Sequence, residues 1–297
     1  MNTKTSRQNT ARWQGGFTLL ELMLVCSILG IVLASVFQGI RTVTQRSQAE
    51  QVKVDLTQSA REFVDEFERD LHQAGYPNCR LVSTGGANCP ADTSQPAVAS
   101  NPAVAVGLVY IDNTKILFEG DMDGDGTVES VTYQLVDANG VNPPANCPCT
   151  LQRSQAPKAA APPWGQPPPL FFQELQNVVN SGRPVGTAPY GGGVPITGNT
   201  AWGATNTAYY AALTTFKDYP VFQAYDQSGN IVQMPVDLSA GGGSTQIMTC
   251  SVAGISCIKS IRLTINLLAN ATTGVDMQTR VRPVTTLVGS ARLVNNF

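Results

Sequence analysis

Hydrophobic positions fall into three regimes along the chain. Phe17–Phe37 reads FTLLELMLVCSILGIVLASVF, apolar on every side and broken by one charge, Glu21. As a helix these 21 residues would span about 31 Å, enough to cross a hydrocarbon core. Further on the pattern becomes one-sided. Leu56, Ala60, Phe63, Phe67, Leu71 and Ala74 recur at three- or four-residue steps with Val64 beside them, and Arg61, Asp65, Glu66, Glu68 and Arg69 fill the other face. This stripe predicts that the helix continues over 38–76 and docks against a globular domain. Gly75-Tyr76-Pro77 supplies its stop.

After Pro77 the period shortens to two. Strands are predicted at 104–111, 115–118, 130–135, 151–153, 221–225, 231–232, 258–265 and 285–294. The KSIRLTINL run alternates as a half-buried antiparallel strand should. Residues 141–206, rich in Pro, Gly, Thr and Asn, are predicted to form long surface loops or insertions in a β-rich region covering 77–297. The expected class is α+β: a long N-terminal transmembrane helix packed on an antiparallel sheet domain with long loops.

Charge adds an orientation. Residues 1–16 carry Lys4, Arg7 and Arg12 and no acid. By the positive-inside rule they stay cytoplasmic and the residues after 37 lie on the far side. Without them the chain has 16 basic and 21 acidic residues, a net charge of -5. That balance lacks the basic footprint of a nucleic-acid binder, and no nucleic-acid partner is expected.

The cysteines point to the compartment. Cys26 lies within the apolar segment; Cys79, Cys89, Cys147, Cys149, Cys250 and Cys257 follow it. An even set beyond a membrane span suggests disulfides in an oxidising space. Short loops favour Cys79–Cys89 and Cys250–Cys257, leaving Cys147–Cys149, a bridge across one residue that ordinary disulfide geometry disfavours. Metal binding competes at Cys147-Pro148-Cys149, although zinc sites prefer wider spacing and the only histidine is His72.

One motif suggests a cation. In Asp121-Met122-Asp123-Gly124-Asp125-Gly126-Thr127-Val128-Glu129, acids alternate around a glycine turn. Asp121, Asp123 and Asp125, completed by the Thr127 carbonyl and Glu129, could surround Ca²⁺. The other reading is an acidic hairpin turn using Asp-Gly chemistry for backbone geometry. Catalytic motifs are not evident: one histidine at a helix end supports no Ser-His-Asp set, and the glycine runs lack a following Lys-Ser/Thr. The chain is expected not to be an enzyme, and no cofactor beyond possible Ca²⁺ is expected.

Glu21 remains the most informative residue. A carboxylate in that setting costs about 2.5–3.5 kcal/mol on insertion scales, so it is a functional candidate. A secretory signal would need a small-residue cleavage motif after the apolar run. Neither that reading nor a plain anchor calls for the acid. The segment Gly16-Phe17-Thr18-Leu19-Leu20-Glu21-Leu22 resembles the processing signature of type IV prepilins and type II secretion pseudopilins. The resemblance implies cleavage between Gly16 and Phe17 by a prepilin peptidase in the inner membrane, then N-methylation of Phe17. It also implies that Glu21 pairs with the new amine of a neighbouring subunit, and that the leader is 1–16 and the assembly helix 17–37. FERDLHQAGY, the DGDG turn, VTYQL and IRLTINL through ARLVNN look like the PilW-type minor pilins, and are similar to pseudopilin J. That likeness implies a minor subunit that primes or caps a type IV pilus, with other minor and major pilins or pseudopilins as partners. The chain would sit in the inner membrane, its C-terminal domain periplasmic, before entering the filament. A tip adhesin, a ligand- or DNA-binding minor pilin, and a type II secretion pseudopilin remain alternatives.

Overall fold

The computed structural model describes residue 16 and residues 18–78, 81, 102–144, 147–158, 170–180, 219–232, 234–237, 258–269 and 284–293. Helix α1 spans Leu19–Gln73. No proline interrupts it, and its hydroxyl residues bond back onto their own helix. Ser27, Ser35, Thr42 and Thr44 each donate to the carbonyl four residues earlier, at 2.8–3.0 Å. Gly75, at φ 80°, ends it in the left-handed region, where a side chain would be strained. The chain divides into two compact units, Met1–Ser47 and Gln48–Phe297. In the first, Leu19–Val43 leaves its large apolar side chains exposed, Leu20 at 74% and Val43 at 68%.

In the second unit the helix buries a stripe and the sheet meets it. Among the described residues nine strands follow α1: β1 (Leu108–Ile111), β2 (Lys115–Gly120), β3 (Glu129–Val136), β4 (Cys149–Pro157), β5 (Phe172–Val178), β6 (Phe222–Tyr225), β7 (Val236–Asp237), β8 (Ser260–Leu268) and β9 (Val284–Arg292). Every pairing is antiparallel. The order is β6-β8-β5-β4-β3-β2-β1-β7, with β9 on β8. Strand β8 is the seam: β9 runs along its whole length, β6 takes its first half, and β5 meets it only at Val178↔Leu267. The result is an α+β fold with a curled antiparallel sheet.

The core lies between helix and sheet. Ala60, Phe63, Val64, Phe67, Leu71 and Ala74 are buried with Phe118, Tyr133, Leu151, Phe222 and Ile261. Phe67 meets Tyr133 edge-on at 5.3 Å and Phe222 at 5.6 Å between ring centroids. Edge-on rings gain electrostatic attraction beyond their buried area. Close approach needs small residues at two places. A Cβ on Gly289 of β9 would lie 2.6 Å from Val64 Cγ1. One on Gly120 would lie 2.6 Å from the Gln73 carbonyl oxygen.

Several expectations need correction. Leu56 is half-buried rather than part of the closed core. Glu66 and Glu68, assigned above to the solvent face, turn inwards: Glu68 Oε1 accepts the Ser290 N–H at 2.9 Å, and Glu66 lies 3.7 Å from Arg153. Val104–Gly107 is buried but is not strand; Ala105 N–H instead bonds the Pro77 carbonyl and the Gly107 carbonyl accepts Glu119 N–H. The stretch 141–206 is not all loop. It contains β4, nine residues long, and β5, both interior to the sheet order. Residues 151–153 are predicted as a short strand, but the full length of β4 (CTLQRSQAP) and all of β5 (FQELQNV) are concealed because half of each side-chain row faces water or a polar partner.

Candidate functional site

At the start of α1 the geometry is that of a capped helix. Glu21 N–H bonds Thr18 Oγ1 at 3.3 Å, and Leu22 N–H bonds the Thr18 carbonyl at 3.1 Å. Thr18 is therefore the N-cap and Glu21 the third helical residue, the two positions of a capping box. A negative charge in the first turn also suits the helix dipole. Thr18 escaped the reading of the sequence, although the Thr-x-x-Glu spacing was its signal. Gly16 is exposed, and a Cβ there would meet nothing within 4 Å. Packing within this chain therefore does not demand glycine at that place. Phe17 lies outside the described residues.

Around Glu21 the exposed side chains are almost wholly apolar, including Leu19, Leu20, Leu22, Met23, Leu24 and Val25. The Ser27 and Ser35 hydroxyls are satisfied within the helix, so they add little cost in hydrocarbon. A carboxylate's charge cannot be absorbed in that way. By length and composition α1 can cross a membrane, which suggests an anchor.

The acidic motif forms the turn between β2 and β3. Asp121, Asp123 and Glu129 offer carboxylate oxygens that all lie within 4.8 Å of one another. Asp125 is not in that group. A hard cation such as Ca²⁺ could bridge the three acids. Each also already serves the backbone. Asp121 accepts the N–H groups of Gly124 and Gly126 at 2.7 and 3.1 Å, Asp123 that of Asp125 at 3.1 Å, and Glu129 that of Met122 at 2.9 Å. Asp125 accepts Thr127 N–H at 2.6 Å. With Gly124 and Gly126 at φ 78° and 87°, these bonds account for the loop geometry without an ion. Burial raises the Glu129 pKa, and the negative charges of Asp123, Asp121 and Asp125 raise it further against the Met122 bond.

Two buried polar clusters fix the domain. Asp70, on the buried face of α1, accepts the Tyr133 hydroxyl at 2.7 Å and both Nε and Nη2 of Arg153 at 3.0 and 2.9 Å. Burial and then the Asp70 charge raise the Tyr133 pKa, so the phenol stays a donor. Lys158 and Glu119 form a fully buried ion pair at 2.7 Å. Lys158 also donates to the Val104 carbonyl at 2.6 Å, and Glu119 accepts Val106 N–H at 3.1 Å, which pins residues 104–106 to the sheet. Neither cluster was legible in the sequence, because Asp70 lies 63 and 83 residues from its partners.

Cys147 and Cys149 are disulfide-bonded, with Cα atoms 4.4 Å apart. Sulfurs joined to each other are not thiolate ligands, so this structure displaces the metal reading of that pair. Cys79, Cys89, Cys250 and Cys257 lie outside the described residues.

Comparison with known families adds one finding. The family model described as the prokaryotic N-terminal methylation motif matches residues 14–37. It supports a type IV pilin-like or pseudopilin-like protein, of a kind that is typically structural rather than enzymatic. Such a motif implies, in general, prepilin peptidase processing and assembly with pilins or pseudopilins. Comparisons with curated proteins and with solved structures found no match.

Proposed function

We propose that this type IV pilin-like chain is a minor pilin that primes or caps a type IV pilus, or the corresponding subunit of a secretion pseudopilus. The observation that carries the reading is the methylation motif placed on a capped, all-round apolar helix whose first turn holds the one acid. Cleavage between Gly16 and Phe17 frees an amine, and methylation at Phe17 leaves it positively charged. An unpaired carboxylate in lipid is costly, whereas one facing a neighbour's cationic amine is tolerated. Glu21 therefore becomes favourable to bury only beside another processed subunit. A Cβ at Gly16 would meet nothing within 4 Å in its own fold. The requirement for glycine there belongs to the peptidase that reads the junction.

The periplasmic domain is then carried by α1 through the helix stripe and the Asp70–Tyr133–Arg153 cluster. Mass spectrometry of the protein from its native host tests this directly. The expected chain begins with methylated Phe17 and is present in sheared filaments; a chain that keeps residues before Phe17, or starts elsewhere, would refute the reading. A secretion pseudopilin is told from a pilus subunit by which filament retains it.

A further inference from the structure

The Lys158–Glu119 pair has both side chains wholly out of solvent, and strand alternation sends them there. Val131 and Tyr133 of β3 lie in the core with α1, so Ser130 and Thr132 point to the opposite face of the sheet. Glu119 of β2 stands directly across from Ser130, and Ser130 across from Ala156 of β4. Lys158 follows Ala156 by two residues, and its N–H extends the ladder onto the Val128 carbonyl. Its side chain therefore leaves on the Glu119 face and crosses β3 to meet the acid.

The contact is oriented as well as buried. Lys158 Nζ lies 2.7 Å from Glu119 Oε2. The Val104 carbonyl accepts from Nζ at 2.6 Å, and Val106 N–H donates to Oε2 at 3.1 Å. One short segment thus holds the nitrogen and one carboxylate oxygen in place. The second oxygen, Oε1, is buried with no hydrogen-bond partner, and so is the hydroxyl of Ser130. A bare carboxylate oxygen inside a protein is costly. The desolvation of two full charges is returned only in part by their attraction. Joining the two groups removes both costs.

We infer that Lys158 and Glu119 condense to an intramolecular amide, a covalent tie across β3 from the end of β4 to β2. Nζ bonds to Glu119 Cδ while the Cδ–Oε1 bond breaks. Two of the three ammonium protons leave with Oε1 as water, and the third stays on the amide nitrogen. No electrons are exchanged and no co-reactant is consumed. Val106 N–H faces the oxygen that remains, where negative charge gathers in the tetrahedral intermediate, so it serves as an oxyanion donor. Ser130, across the ladder from Glu119, offers an uncommitted hydroxyl to pass a proton towards Oε1. Fixing amine and carboxyl together supplies what this condensation lacks in water; well-oriented intramolecular groups reach effective concentrations of about 10⁵–10⁸ M. The tie closes a loop through β3 and β4 and restrains the unfolded chain as a disulfide does, but thiols cannot undo it. It stands independently of the filament reading.

The test is the mass and peptide map of the full-length chain purified from its native host, with disulfides reduced and alkylated. The expected chain is one water lighter than its sequence and N-terminal processing require. Trypsin, which needs a free lysine side chain, should leave the Lys158–Ala159 bond uncut. Fragmentation should then show a branched peptide joining Glu119 to Lys158. In Lys158→Arg the chain is expected to carry its full mass and to lose the branched peptide. If that variant does not accumulate, the wild-type map decides the matter alone. A wild-type chain of full mass, cut by trypsin after Lys158, overturns the amide. So does a water loss that maps to Asp123-Gly124 or Asp125-Gly126, where an Asp-Gly peptide can cyclise by itself. Neither result touches the reading of Gly16, Phe17 and Glu21.

Discussion

Glu129 shows how much one residue's surroundings decide. Burial and three neighbouring acids raise its pKa above the ordinary value of 4.5. The folded state therefore binds that proton more tightly than the unfolded chain does. Its stabilising contribution is present at low pH and is lost as pH rises through the raised value. Glu129→Gln keeps an oxygen for the Met122 N–H and removes the charge. In chelator, the variant is expected to melt above wild type at pH 7, with the gap closing as pH falls towards 4.5; thermal melts across that range check it. Gly120 decides a different matter. Its Cβ would press on the Gln73 carbonyl, which is backbone and cannot rotate aside. Gly120→Ala is expected to cost about 1–3 kcal/mol in a denaturant titration. At Asp70 the loss is electrostatic: Asp70→Ala removes the buried carboxylate to which both the Arg153 guanidinium and the Tyr133 hydroxyl donate, leaving Arg153 with Gln155 and the more distant Glu66. A loss of about 3 kcal/mol is expected, the usual size for breaking one side of a buried charge pair.

At the scale of elements, α1 does two jobs in sequence. Its first part is apolar all round and exposed in the isolated chain, while its last third is one-sided. The stripe from Ala60 to Ala74 was legible because a period of 3.6 with a clear polar face has few alternative explanations. Strands β1, β2, β3, β6, β8 and β9, and the 151–153 part of β4, were found from apolar and alternating runs. Strand β5 was missed because Gln173, Glu174, Gln176 and Asn177 give no alternation that a window can detect. What makes it a strand is β4 on one side and the Val178 contact with β8 on the other. Phe67→Ala is expected to cost about 3–5 kcal/mol, since Phe67 is fully buried between Tyr133 and Phe222. Limited proteolysis should then cut the Gln48–Gln73 segment faster than in wild type. The same element map limits deletion experiments. Removing 141–206 would take out β4 and β5, so an adhesion test must leave both strands in place.

For the whole molecule, the central prediction concerns assembly. Glu21→Val should remain processable, because the Gly16–Phe17 junction is unchanged, yet be lost from filaments. The fraction of processed chain in sheared material measures this. Normal incorporation of Glu21→Val would show that the acid has no role in joining subunits, even if the N-terminus is cut as expected.

The sequence by itself determined the apolar span, the methylation motif over residues 14–37 with Glu21 inside it, the docking stripe of α1 and the acidic turn. Each of these is a local pattern, set by lipid thickness, by helical period or by the reach of a short side chain to nearby amides. Only the tertiary structure decided that Asp121, Asp123 and Glu129 converge while Asp125 stays out of that group. It alone placed β5 inside the sheet, and it alone joined Asp70 to Tyr133 and Arg153 and Lys158 to Glu119. Those partners lie dozens of residues apart. What selects them is the cost of leaving a buried charge or hydroxyl unmatched, and that cost exists only once the chain has folded.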